Sequence, residues 1–115
     1  VISGLNSETR ADFGEVANET VATLLRCVPA AVPGIMFLSG GQSETDATMH
    51  LNVMNANNKN LPWNLSYSYG RALQASALKA WLGETCNTKS AQEALSLRAS
   101  LNSAACAAEY EGEAI

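Results

Sequence analysis

The stretch PGIMFLSGGQSETD, Pro33 to Asp46, decides the fold. Gly34 leads into a short apolar run, Ile35 to Leu38, which passes through Ser39-Gly40-Gly41 and reaches Ser43-Glu44-Thr45-Asp46. An apolar run this short, bounded by glycines, suits a strand buried on both faces, as in a parallel sheet covered by helices. Ser43 to Asp46 fits the Ser/Thr-x-x-Asp/Glu capping box, in which the serine oxygen accepts a free N–H of the first helical turn. The handover from strand to helix therefore falls on one serine and two glycines. Such a junction is either a plain tight turn or a place where backbone N–H groups stay free to hold an anion.

Outward from that stretch the chain alternates helix and strand. Upstream, Phe13, Val16, Ala17, Thr20, Val21, Leu24 and Leu25 recur at the spacing of one helical face, and Pro29 and Pro33 stop the helix. Downstream, the helix opened by Ser43 carries Ala47, Leu51 and Met54 inward and ends in the Asn-rich segment Asn55 to Asn60. In PWNLSYSYGRA, Trp63, Leu65, Tyr67 and Tyr69 alternate with Asn64, Ser66, Ser68 and Gly70, the period of a strand. Its polar face is small and uncharged, which suits a barrel interior near a site, while the aromatics pack under outer helices. A helix follows directly, with Leu73, Ala77 and Trp81 on one side and Gly83 placed to end it. A last helix is predicted from about Ser90 to about Tyr110, packing through Ala91, Leu95, Ala104, Ala105 and Ala108. The tail EGEAI carries no usable pattern. This order implies βα units and a parallel sheet. Two parallel strands cannot cover their own faces and edges, so the chain reads as part of a larger α/β structure.

Composition narrows the classes of function. A length of 115 residues gives one small domain, and 47% hydrophobic residues allow a packed core. A net charge of −4 and a pI near 4.8 argue against nucleic acid as a partner, which needs a basic face. One small phosphate is different, because a single arginine and some backbone amides can hold it. Cys27, Cys86 and Cys106 are widely spaced and His50 is the one histidine, so no metal site is expected. The cysteines read as free thiols packed as small apolar groups, in keeping with a reducing compartment. No apolar run approaches the roughly 20 residues that span a bilayer, and Val1 onward has no signal-peptide character. No membrane partner is expected. GxGxxG and P-loop motifs are absent, so nucleotide binding has no support.

Two strand ends carry the candidate site. Ser39-Gly40-Gly41 ends the first strand and Ser68-Tyr69-Gly70-Arg71 ends the second. In α/β sheets and barrels, ligands bind at that end, and in barrels the loops after the last two strands often hold a phosphate. Gly40-Gly41 alone reads as a tight turn, Arg71 alone as a solvated arginine, and Ser68 alone as filler of a barrel interior. Together, at matched strand ends, they favour a phosphate pocket, with glycine backbone close to the oxyanion and the arginine fork on its oxygens. Lys79 and Lys89 read as solvated, and His50 as structural or exposed.

The segments VPAAVPGIMFLSGGQSETDATMHLN and PWNLSYSYGRALQASALKAW closely resemble the C-terminal part of class I fructose-1,6-bisphosphate aldolase. FLSGGQS and SYGRALQ are the specific pair, and the resemblance spans essentially the whole chain. It implies that residues 1–115 are the C-terminal segment of a single (β/α)8 TIM-barrel domain, with Ile35–Leu38 in the seventh strand and Leu65–Tyr69 in the eighth. It implies a homotetrameric, cofactor-free enzyme, cytoplasmic or plastidic, that reversibly cleaves fructose 1,6-bisphosphate to dihydroxyacetone phosphate and glyceraldehyde 3-phosphate. The family's ketose phosphate site maps onto Ser39, Gly40, Gly41, Ser68, Gly70 and Arg71. The lysine that forms the Schiff base, and the acid/base carboxylates, are expected upstream of Val1, so no catalytic residue is assigned in this chain. Neither Lys79 nor Lys89 matches the lysine position. The alternative is a truncated, non-catalytic product with only a phosphate-binding, structural or interaction role.

Overall fold

The computed structural model describes residues 1–113; Ala114 and Ile115, the end of EGEAI, lie outside the described residues. The first helix, α1, runs Phe13–Cys27, and its N-cap Asp12 accepts from the Glu15 amide at 2.8 Å. Val16, Ala17, Thr20 and Val21 form its buried face. Leu25 lies beyond that stripe and is exposed. Strand β1 spans Gly34–Phe37, ending one residue short of the predicted Ile35–Leu38. Helix α2 covers Glu44–Asn57 and buries Ala47, Thr48, Leu51 and Met54. Its predicted cap is present: Ser43 Oγ accepts from Asp46 N at 3.1 Å.

Strand β2, Asn64–Tyr67, pairs parallel with β1 in the register Gly34↔Asn64 to Phe37↔Tyr67. The last ladder contact is Ser68 N to Phe37 O at 2.8 Å. Beyond it Gly40 and Gly41 take positive φ, so Leu38 cannot extend the strand. Trp63, Leu65 and Tyr69 are buried while Asn64 and Ser68 are exposed, which keeps the predicted alternation. Burial on both faces of β1 does not hold, because β2 takes the helix contacts and β1 touches chiefly β2. Met36 is accordingly 55% exposed.

Helix α3 spans Arg71–Trp81 and ends as predicted, with Leu82 as C-cap at φ 55° and Gly83 just past it at φ 73°. A 3-10 turn at Thr85–Asn87, not foreseen, leads into helix α4, Thr88–Cys106. This helix thus starts before Ser90 and stops before Tyr110, where Ala107 ends the ladder and Ala108 turns to φ 60°. Its buried residues are Arg98, Leu101, Asn102 and Ala105; of the predicted small-residue face only Ala105 is fully buried, Ala91, Ala104 and Ala108 are half-buried, and Leu95 is exposed. The polar pair is retained inside because both side chains find partners on α2. The cysteines also depart from expectation, with Cys27 and Cys86 exposed and Cys106 half-buried. Both exposed thiols stand at helix ends or in the 3-10 turn, away from the core.

The core gathers Val21, Leu51, Met54, Trp63, Leu65 and Leu101 where α1, α2 and α4 meet over β2. Trp63 fills it and still satisfies its Nε1–H, which donates to Pro29 O at 3.1 Å. Asn55 Nδ2 reaches Leu65 O and Ala105 O, tying α2 to β2 and α4. The result is a β-α-β unit with both strand ends at one edge of the helical layer.

Candidate functional site

The turn after β1 closes when Gln42 N donates to Ser39 O at 3.0 Å. Inside it Gly40 holds φ 56° and Gly41 holds φ 84°, conformations that L side chains rarely adopt. A Cβ on Gly41 would lie 3.7 Å from Arg71 Nη2, so the guanidinium sits directly over this glycine. The two halves of the predicted pair thus come together across the sheet edge.

Arg71 is also the first residue of α3. Gly70 caps that helix without a side-chain bond, and its carbonyl accepts from both Leu73 N and Gln74 N at 3.1 Å. The Arg71 and Ala72 amides precede those donors and have no intrahelical acceptor. Free first-turn amides, the positive end of a helix dipole and a guanidinium fork therefore converge on one edge.

Gly40, Gly41 and Arg71 line a cleft of about 920 Å³, together with Gln42, Ser43, Asp46 and His50. The opposite wall is the segment before α1, from Ile2 to Leu5 and from Arg10 to Phe13. Arg10 braces that wall by donating to Leu5 O at 2.8 Å and Ser3 O at 3.3 Å. The remaining predicted residues stand off the cleft. Ser39 is buried beneath the turn at 4% exposure, Ser68 is exposed at the end of β2, and Gly70 has open space around it.

A polar cluster beside the strand-end edge ties α2, α3 and α4 together. Glu44, in the first turn of α2, accepts from Ser76 N at 2.6 Å and from Ser76 Oγ at 2.5 Å on α3. Arg98, 3% exposed, reaches over from α4 and donates to Glu44 O at 3.1 Å and Thr48 Oγ1 at 2.5 Å. Its Nε lies 3.9 Å from Glu44 Oε2, an ion pair without a hydrogen bond, and Nη1 pairs with Glu113. Tyr110 OH donates to the other Glu113 oxygen at 2.5 Å.

Arg10, Asp12, Gln42, Asp46 and His50 were not recognised as cleft residues from sequence. The segment before α1 has no periodicity to place it, and a histidine inside a helix gives no sign of which face it takes. Arg98 escaped notice because it lies in a run read as a small-residue face. Lys79 and Lys89 are solvent-exposed, the latter 3.9 Å from Glu93, and neither lines the cleft. Among the described residues, no group of three or more His, Cys, Asp or Glu is placed to hold a metal. No helix among them is long and apolar enough to cross a membrane.

The β-α-β unit, with its glycine turn and helix N-terminus on one edge, is of the α/β class, in which ligands sit at the carboxyl ends of strands. The family model "Glycolytic: Fructose-bisphosphate aldolase class-I" matches residues 1–115. Fructose-bisphosphate aldolase B of Gallus gallus is 62% identical over 96 residues, 84% of this chain and 26% of the relative. The cytoplasmic isozyme of Spinacia oleracea is 57% identical over 99 residues, 86% of this chain and 28% of its own. The fold matches fructose-bisphosphate aldolase of Plasmodium falciparum, solved with TRAP and a small-molecule inhibitor, at TM-score 0.92. That match has 46% identity and covers 96% of this chain and 31% of the other. The chain belongs to the class-I fructose-bisphosphate aldolase family and spans between a quarter and a third of the length of these relatives.

Proposed function

We propose that this chain is the phosphate-binding C-terminal segment of a (β/α)8 barrel, with β1 and β2 as its last two strands. The complete protein would cleave fructose 1,6-bisphosphate reversibly to dihydroxyacetone phosphate and glyceraldehyde 3-phosphate. The observation that carries this is the Arg71 guanidinium lying over Gly41, beside the open N-terminus of α3. Ser39, Gly40, Gly41, Ser68, Gly70 and Arg71 would form the ketose-phosphate site. Backbone amides and the arginine fork would share the phosphate oxygens. In that assembly Ser68, now exposed, would face the barrel interior beside the ligand.

The chemistry would run through an imine between a lysine and the substrate carbonyl, which draws off the electrons of the breaking C–C bond. Lys79 and Lys89 stay outside the cleft, and Lys59 lines a separate cavity with Asn64, at the other end of β2. The reacting lysine would therefore come from another part of the complete protein. A cytoplasmic location is supported by relatives that include spinach and chickpea cytoplasmic isozymes, and the complete protein would assemble as a homotetramer. No cofactor enters this account.

Borohydride reduction of the complete protein with dihydroxyacetone phosphate, followed by peptide mapping, tests this reading. The expected adduct sits on a lysine outside residues 1–115. An adduct on Lys59, Lys79 or Lys89, or no adduct, contradicts it. The alternative of a truncated, non-catalytic product is tested by the intact mass of the natural protein. A species near three times 12.1 kDa is expected, and one of 12.1 kDa would support truncation.

A further inference from the structure

His50 lies in the wall of the Gly40–Gly41–Arg71 cleft, outside the set assigned above to the phosphate. Its Nδ1 is 2.7 Å from Gln42 Oε1. A carboxamide oxygen only accepts, so Nδ1 carries a hydrogen and Nε2 is the position left for a second proton. The ring rests against Phe13, centroids 4.7 Å apart and planes tilted by 58°. Gln42 is the residue whose amide closes the glycine turn. The imidazole is thus clamped between the first residue of α1 and the turn that holds Gly40 and Gly41.

We infer that His50 is a further binding residue of this cleft, which becomes a cation in mild acid and then strengthens the hold on a phosphate ester. The inference rests on the reading of the cleft as a sugar-phosphate site. The charged groups facing the ring's surroundings are Asp46 on α2, Arg10 and Asp12 before α1, Arg71 on α3 and the Val1 amino group. Burial is the main influence and holds the imidazole below its ordinary pKa of 6.5, while Asp46 acts in the opposite direction. In the empty cleft His50 is therefore neutral at pH 7. A bound dianion adds an attractive partner, raises the pKa and draws in a proton as it binds. Affinity then rises as pH falls through the histidine range.

The test is KM for fructose 1,6-bisphosphate in the complete enzyme at pH 8 and pH 5.5, for the wild type, His50→Asn and Arg71→Ala. Asparagine can donate to Gln42 Oε1 in place of Nδ1–H but has no proton to gain. The substrate phosphates titrate in the same range, so the readout is the wild-type to His50→Asn ratio of KM at each pH. That ratio is expected to change by about 3- to 5-fold between the two pH values, in favour of the wild type in acid, as one added charge near a dianion in a solvated cleft would give. A flat ratio overturns the inference. If Arg71→Ala raises KM while the ratio stays flat, only the role of His50 fails. If Arg71→Ala leaves KM unchanged, the phosphate reading fails and the role of His50 falls with it. Histidine NMR on the complete protein gives a measurement that needs no variant. Saturation with inorganic phosphate is expected to raise the His50 pKa, and an unmoved titration overturns the inference.

Discussion

Gly41 holds φ 84°, which a residue without a Cβ takes free of strain, and a Cβ there would meet the Arg71 guanidinium at 3.7 Å, an ordinary contact. Gly41→Ala is expected to cost about 1–2 kcal/mol through left-handed strain. It should also raise KM, because the turn amides of the proposed site would shift; a thermal melt and steady-state kinetics check both. Tyr69 makes a second residue-scale case. Its hydroxyl donates to Ala47 O at 2.8 Å, and burial, with a smaller contribution from the Cys106 charge, pushes its pKa from 10.0 to about 12. An unfolded chain ionises this phenol first. Its contribution to stability is therefore whole below pH 10 and is lost as pH climbs toward 12, by about 2–3 kcal/mol. Denaturant melts from pH 9 to 12 should show that fall, and Tyr69→Phe should flatten it. The glycines, Ser43 and Arg71 were legible in sequence because their roles are local: a turn, a cap and a helix start. His50 was not, since its partner Gln42 is in reach only once α2 is wound and docked.

Element by element, the capping oxygen of Ser43 starts α2 and Glu44 ties that start to Ser76 in the second turn of α3, so the two helices flanking the site are joined. Ser43→Ala is expected to cost about 1 kcal/mol, read as a lowered denaturation midpoint. Arg98 matters more. Its removal takes bonds from Glu44 O and Thr48 Oγ1 inside the α2–α4 contact, and Arg98→Ala is expected to cost about 1.5–3 kcal/mol in denaturant melts. A cost below 1 kcal/mol would show that the group is incidental. Helix existence was readable from periodicity in α1 and from the cap in α2. The boundaries of α4 were not, because a 3-10 turn and a left-handed alanine decide them by backbone geometry alone. The buried face of α4 was misread for a related reason. Periodicity rewards apolar residues, and nothing in a lone Arg98 or Asn102 announces partners 50 or more positions away.

At the scale of the molecule, the surface is larger than one small domain should have. Its 7243 Å² compares with about 6,000 Å² expected of a folded monomer of 12.1 kDa. The radius of gyration, 15.4 Å, compares with about 13 Å for this length. The excess lies partly at β1, where Met36 on the strand and Leu38 just past it are exposed beside an open strand edge. The open edge was readable from the sequence, as two parallel strands have no cover of their own, and it accords with the proposed larger barrel. Residues 1–115 expressed alone are therefore expected to self-associate in size-exclusion chromatography and to lack a sharp cooperative melt. A monomer that melts cooperatively would contradict membership in a larger barrel.

In the proposed site Arg71 and the Gly40-Gly41 turn grip a substrate phosphate. Steady-state kinetics of Arg71→Ala in the complete protein, with fructose 1,6-bisphosphate, test it most directly. Loss of a charge-assisted contact predicts a KM raised by about 10- to 100-fold with an unchanged melting temperature. A variant that keeps the wild-type KM and kcat would contradict the account.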